Sequence, residues 1–386
     1  MKHLTFFAIM LVLLVANPPT AFGQRTTQSD NWNNWVAVRG TPLGDGVGGN
    51  SRSVIWGGPA GRQRFIAVGN STRIPFAYSS DGVNWNAPVD RSSPIVMTGI
   101  GGMIIWGSPS GRGRFVRVES YTDVPYNNVY LYTSTDGESW STHGGWEFLL
   151  WEGGRNIRHL EWGGSAGWER FVGVGERMIM YSADGENWRA IYADLKFGGL
   201  AWGGTVGQER FITGAIPLEP EQYYADYMER EATRYKAVGG ITMVYSDDGE
   251  NWNFFSEEME PVRAFGNATA INAIAWGGPS GQKRFVVGLN NGVIAYSADG
   301  SNWTAVSNST FDGNSINAIA WGGPSGRERF VAVGNNGKIA HSVDGVRWTA
   351  VPNSTFGSTH INCIAAGRQR FVAVGNEGKM AYLAFD

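Results

Sequence analysis

Residues 271–306 read INAIAWGGPSGQKRFVVGLNNGVIAYSADGSNWTAV, and residues 316–351 read INAIAWGGPSGRERFVAVGNNGKIAHSVDGVRWTAV. Self-similarity at a period of some tens of residues marks a chain built from stacked supersecondary units. Within the first copy, four apolar stretches (271–276, 284–288, 293–297 and 303–306) are bounded by Gly, Asn and Pro turns. Each is too short for a helix and none has a 3.6-residue period, so they read as strands A, B, C and D of one antiparallel unit.

Working outward, the same anchors recur along the chain. A W-G-G or W-G-S turn begins at Trp56, Trp106, Trp162, Trp202, Trp276 and Trp321, with Ala366 in the seventh place. An Arg-Phe pair supplies Phe65, Phe115, Phe171, Phe211, Phe285, Phe330 and Phe371. The segment S-x-D-G-x-x-W occurs around Asp81, Asp136, Asp184, Asp248, Asp299 and Asp344. The expected fold is all-β, a seven-bladed β-propeller of four-stranded antiparallel blades. A helical solenoid is excluded by the missing helical period. The last repeat ends after strand C, while residues 34–38 (NWVAV) match 302–306 (NWTAV). The N-terminal strand is therefore expected to close the last blade and leave no frayed edge.

Composition narrows the class. Of 386 residues, 42% are hydrophobic, 17% are charged, 55 are Gly and one is Cys, which excludes a disordered chain, a collagen and a disulfide scaffold. A net charge of −3 argues against nucleic acid as a partner. Residues 1–23 have the basic start, apolar run and small-x-small site of a signal peptide, and the run is too short to span a bilayer. Residues 24–386 are expected to form one exported, monomeric propeller, secreted or periplasmic, with a blade-4 insertion at 216–239. Cys363 stands where the repeat has Ala and reads as a small core residue.

The S-x-D-G-x-x-W segments resemble the Asp boxes of the sialidase-like (BNR) propellers, a superfamily that includes sialidases, photosystem II assembly factors and several glycan-processing families. The boxes here are one residue shorter between Asp and Gly. The resemblance covers nearly the whole mature chain and implies a propeller rather than one activity. In each box the aspartate can accept turn N–H bonds, the glycine takes a positive φ and the tryptophan packs between blades. All six aspartates therefore read as structural staples, with the Arg-Phe arginine, Arg284 for example, as a partner of the box. Arg73-Ile74-Pro75 has the letters of a sialidase motif, but it falls just before the box at Ser79, where that family does not place it. No catalytic residue is assigned.

Residues present in every blade cannot mark one site, so function is sought where the repeats break. Insertions at 119–129 and 216–239 fall in B–C turns, and those at 141–155 and 253–270 fall in D–A connections, all on one (top) face. The 216–239 insertion is expected to hold a short helix after Pro220, with Tyr223, Tyr224 and Tyr227 available for stacking. Trp146 and Trp151 lie outside the repeated Trp positions and are further candidates. The residue four before each W-G-G tryptophan is Arg52, Gly102, Arg158, Gly198, Asn272, Asn317 and Asn362. The asparagines read as structural, whereas Arg52 and Arg158 favour an anionic ligand. His159 and Glu161 replace alanines of the repeat. His143, His159, His341 and His360 lack metal-ligand spacing, so neither metal nor cofactor is expected. The expected function is an exported, non-catalytic binding or assembly propeller for a glycan or an extracytoplasmic protein. The alternative is a secreted carbohydrate-active enzyme, a sialidase-like glycosidase or a polysaccharide lyase. It requires two carboxylates among Glu161, Glu219, Glu221 and Asp226 to converge within about 5–10 Å.

Overall fold

The computed structural model describes residues 32–43, 51–69, 76–87, 102–123, 126–146, 157–225, 230–256 and 259–385; the leader expected at 1–23 lies outside them. In repeat 5 the strands Ile271–Gly277, Arg284–Leu289, Ile294–Ser297 and Thr304–Ala305 pair antiparallel in sequence order. Strand B is covered on both faces, with Phe285, Val286 and Val287 at 1%, 0% and 0% exposure. This is why it reads as an unbroken apolar run rather than an alternating one. Strand D lies at the rim and is exposed.

The sheets stack face to face, and the W-G-G turn records how. A Cβ on Gly277 would stand 2.3 Å from the Trp321 ring, one on Gly203 2.3 Å from that of Trp276, and one on Gly163 2.2 Å from that of Trp202. The first glycine of these turns is thus the seat for the next repeat's tryptophan, whereas Gly322 meets Ala366 and Gly367 meets the Phe65 ring. The tryptophan ring also packs on its own repeat's Arg-Phe phenylalanine, as in Trp276–Phe285 with centroids 4.5 Å apart. These alternating aromatic and aliphatic layers between sheets form the core.

The expected count of seven four-stranded blades is corrected by the sheet topology: the strands form six sheets among the described residues. Four sheets have four strands. Repeat 1 has three, with a lone bridge Tyr78–Asn86 where its fourth would stand. Repeats 3 and 4 share one seven-stranded sheet, because a single strand, Arg189–Gly203, pairs first with Arg170–Ser182 and then with Arg210–Ala225. The cause is the length of the link. Trp188 and Trp202 are 14 positions apart, against 18 for Trp303 and Trp321, so no loop separates strand D of repeat 3 from strand A of repeat 4. At the termini, Val36–Ala37 pairs antiparallel with Met380–Ala384, in the register Val36–Tyr382 and Ala37–Ala381.

The S-x-D-G-x-x-W turns are hydrogen-bonded units. Asp299 Oδ1 accepts from the N–H groups of Ser301 and Asn302, each at 2.9 Å, and from Ser297 Oγ at 2.9 Å. Its Oδ2 accepts from Asn302 Nδ2 at 2.9 Å. The Ser297 hydroxyl accepts from Gly300 N–H at 2.8 Å, and Gly300 has φ +84°, the left-handed region that favours glycine. The Arg-Phe arginines take different partners: Arg210 pairs with Asp247 of its own box, Nε to Oδ1 at 3.4 Å, and others reach elsewhere. Arg284 lies over the Tyr296 ring at 5.1 Å. Arg64, Arg114 and Arg170 reach instead to Glu138, Glu186 and Glu250, each in the turn of the following repeat.

The insertion at 216–239 also differs from expectation. No helix follows Pro220 within its described residues. Strand Arg210–Ala225 runs straight on and pairs with Arg230–Ala237 as a ribbon extending beyond the sheet. Proline is tolerated there because the ribbon strand lies at an edge. Cys363 packs beside repeat 1, its Sγ 3.7 Å from the Val54 carbonyl oxygen, and burial pushes its thiol up.

Candidate functional site

The innermost strands carry the site, and their second residue decides its character. Asn272 Nδ2 donates to the Ile316 carbonyl at 3.0 Å, Asn317 Nδ2 to the Ile361 carbonyl at 2.8 Å, and Asn362 Nδ2 to the Ser51 carbonyl at 2.8 Å. Each asparagine therefore latches its strand A to the first residue of the next one. At Gly198 the latch is absent, since a Cβ there would stand 2.6 Å from the Ile271 carbonyl oxygen. Arg52 and Arg158 hold the same strand position in repeats 1 and 3.

There the strands leave a cavity of about 260 Å³. Arg52, Arg158, His159 and Lys196 line its polar side, while Met103, Phe197, Ile216, Ile241 and Ile271 supply apolar wall. No carboxylate is among its described lining residues. Glu176 is close by, opposite Lys196 in the strand ladder. Arg52 Nε is buried with no hydrogen-bond partner among the described residues. A buried cationic donor without an acceptor is costly unless a ligand or water supplies one.

Two further titratable groups lie on the same strand. Burial, aided by the Arg158 charge, holds His159 down to about 4, so its imidazole is neutral at pH 7. Burial pushes the Glu161 carboxyl up to about 8, against the opposing hydrogen bond from Trp162 N–H, so at pH 7 it is mostly protonated. The wall thus presents fixed positive charge from Arg52, Arg158 and Lys196 with no ionised acid from its own inner strand.

Of the residues singled out from the sequence, Arg52, Arg158 and His159 come together on this cavity. Tyr223 and Tyr224 stand on the ribbon in register with Ala232 and Glu231. Trp146 ends the strand Ser141–Trp146. Tyr227 and Trp151 lie outside the described residues. Of the four carboxylates named for hydrolysis, Glu161 is on the inner strand and Glu219 is exposed on the ribbon; Glu221 is on that ribbon and Asp226 lies outside the described residues. Asp81, Asp136, Asp184, Asp248, Asp299 and Asp344 are engaged in their own turns. Sequence reasoning missed Lys196. The unusually short Trp188–Trp202 spacing was the available signal, since an unbroken strand carries residue 196 directly to the channel mouth.

No family model and no curated protein matches the chain. Solved structures do resemble it. YCF48 from Cyanidioschyzon merolae gives a TM-score of 0.57 at 14% identity, covering 91% of this chain and 98% of that one. YCF48 bound to D1 peptide gives 0.58 at 15% identity over 92% and 97%. A catalytically inactive virginiamycin B lyase from Staphylococcus aureus with quinupristin gives 0.53 at 11% identity over 92% and 99%. At these identities the likeness is one of fold, and it identifies the chain as a β-propeller.

Proposed function

We propose that the chain is an exported, non-catalytic binding propeller whose channel mouth takes a carboxylate-bearing ligand, most simply an acidic segment of another protein. The observation that carries the reading is the convergence of Arg52, Arg158 and Lys196 on one cavity whose described lining includes no acid. Arginine offers a planar fork matched to a carboxylate, and the apolar wall suits the carbon skeleton beside it. A propeller of similar fold has been solved with a peptide bound, which favours a peptide over a glycan. In this reading the S-x-D-G-x-x-W turns are shortened Asp boxes with a structural role.

The test is a calorimetric titration of residues 24–386 with citrate and with a hexaglutamate peptide at two ionic strengths. Wild type binds, binding weakens with salt, and Arg158→Ala or Arg52→Ala weakens it about tenfold or more, as for loss of a charged hydrogen bond. Arginine variants that bind like wild type, or a wild type that binds neither probe, would overturn the assignment.

A further inference from the structure

We propose a second binding site, between repeats 3 and 4: an apolar cavity that takes the phenyl ring of a phenylalanine presented by a partner polypeptide. Four other seams between successive repeats show what this place holds. In the link from repeat 5 to repeat 6, Phe311 is fully buried in one apolar cluster with Ile294, Val306, Ile316, Ala340 and Trp348. In the next link Phe356 takes the same place, with Ile339, Val351, Ile361, Ala381 and Trp35. One link earlier it is Phe265, whose ring centroid lies 5.6 Å from that of Trp303. At the closing seam Leu43 stands there, with Val38, Met380 and Trp85. Each of these seams receives one bulky apolar side chain from the loop between strand D and the next strand A.

The link from repeat 3 to repeat 4 has no loop to supply one, because Arg189–Gly203 is a continuous strand. In this seam Ile179, Ile191, Phe197, Val244 and Trp252 stand at the repeat positions of Ile294, Val306, Ile316, Ala340 and Trp348. Together with Ala193 and Leu195 they line a cavity of about 200 Å³. Side chains alternate along a strand, so residues 191, 193, 195 and 197 share the cavity face, and Tyr192 lies on the other, 51% exposed. A dry apolar cavity of about 150 Å³ accepts benzene, so a phenyl ring fits here.

The lining selects the occupant by shape and apolar character. Its one charged member among the described residues, Glu250, is paired with Arg170. The rings of Trp252 and Phe254 in the wall favour an aromatic group, as tilted and edge-to-face pairs do elsewhere in this core. In the filled seams the side chain arrives on a polypeptide, and the exposed Asn253 at the rim offers its amide to the backbone of an incoming chain. Phe197 is shared with the channel cavity, but none of that cavity's arginines lines this one, so the site needs neither Arg52 nor Arg158.

The probe is N-acetyl-phenylalaninamide, followed by NMR, with N-acetyl-alaninamide and toluene as controls. The phenylalanine probe binds wild type and shows cross-relaxation to the methyl groups of Ile179, Ile191 and Leu195, whereas the alanine probe does not bind. Ala193→Phe fills the cavity from within, so it raises the thermal midpoint and removes probe binding. Citrate binding at the channel mouth and its loss in Arg158→Ala are unaffected by Ala193→Phe, and Arg158→Ala still binds the phenylalanine probe, so the two sites succeed or fail separately. Should Ala193→Phe misfold, the cross-relaxation pattern on wild type decides. Equal binding of the alanine probe, cross-relaxation to other methyl groups only, binding of toluene without the phenylalanine probe, or undiminished binding by a folded Ala193→Phe would overturn the proposal.

Discussion

Asn362 donates through Nδ2 to the carbonyl oxygen of Ser51 at 2.8 Å, joining residues 311 positions apart. The bond ties the last strand A to the first, in the way Asn317 ties to Ile361 and Asn272 to Ile316. A ring of sheets has no chain end to hold its final seam, so side-chain latches there contribute directly to closure. Asn362→Ala is expected to destabilise the protein by about 1 kcal/mol, plus the cost of leaving the Ser51 carbonyl short of a partner. Chemical denaturation checks this. The same substitution at Asn272, whose seam is continuous in sequence, is expected to be milder.

Trp32 closes the same region from the N-terminal side. It is 3% exposed and packs on Phe385 at 4.9 Å and Phe371 at 6.0 Å, with His341 at 5.7 Å and the Arg329 guanidinium at 4.8 Å. It thereby bridges repeats 6 and 7 a few residues before the pairing of Val36 with Tyr382. Trp32→Ala should cost about 3–5 kcal/mol, as for a large buried aromatic. Deleting residues 24–40 removes both ring and strand and is expected to abolish a single cooperative thermal transition. A deletion variant that melts as sharply as wild type would show that closure does not depend on this segment.

The turn aspartates give the fold an acid limit. For Asp81, partial burial raises the pKa, but hydrogen bonds from Asn84 and Val83 N–H and from the Asn84 and Ser79 side chains outweigh it and hold it at about 2. Asp184 and Asp248 are held at about 2 in the same way, and Asp136, Asp299 and Asp344 are also lowered. A depressed carboxylate contributes stability above its unfolded pKa near 4, and that contribution is lost as pH falls through the folded value. Stability should therefore drop between about pH 4 and pH 2. Asp299→Ala should lower the midpoint at pH 7 by removing hydrogen bonds that each contribute about 0.5–1.5 kcal/mol. It should also shrink the acid-dependent loss, while citrate binding at the mouth, measured below the midpoint, stays unchanged.

The repeat made most of the architecture legible, because W-G-G, Arg-Phe and S-x-D-G-x-x-W each encode a local contact that recurs. Gly277 is small because Trp321 lies on it, and Asp299 is acidic because turn N–H groups need an acceptor. Where the repeat is broken, local signals stop being sufficient. Strand Arg189–Gly203 merges two repeats because its connection is too short to loop, a length effect that motif matching ignores. Pro220 followed by Glu and Gln looks like a helix start, yet Leu218–Ala225 is drawn into a ladder by Arg230–Ala237. Tertiary pairing overrode that local propensity. Arg52 and Arg158 stood out as charges on inner strands, but Lys196 needed the fused strand to reach the same cavity.

Glu161 supplies a test of the channel wall that requires no ligand. Its carboxyl is pushed up by burial from an ordinary 4.5 to about 8, so the folded state retains a proton that the unfolded state releases. Stability then falls as pH rises from about 4.5 and levels off above about 8. His159, held down from 6.5 to about 4 by burial and by Arg158, acts in the opposite sense: the unfolded state binds the extra proton, so its contribution rises with pH from 4 to 6.5. The two slopes oppose each other between about 4.5 and 6.5, leaving the decline between about 6.5 and 8 to Glu161 alone. Glu161→Gln should flatten that decline and raise the thermal midpoint at pH 8 relative to wild type, with little change at pH 5. His159→Gln should instead leave the decline above pH 6.5 intact and reduce the compensation below it to the share of His341, which burial and the Arg329 charge likewise hold down to about 4. Thermal melts at half-unit steps from pH 4 to 9 check both. A wild type whose midpoint does not fall between pH 6.5 and 8, or a Glu161→Gln variant with the wild-type profile, would mean that Glu161 is ionised in the folded wall.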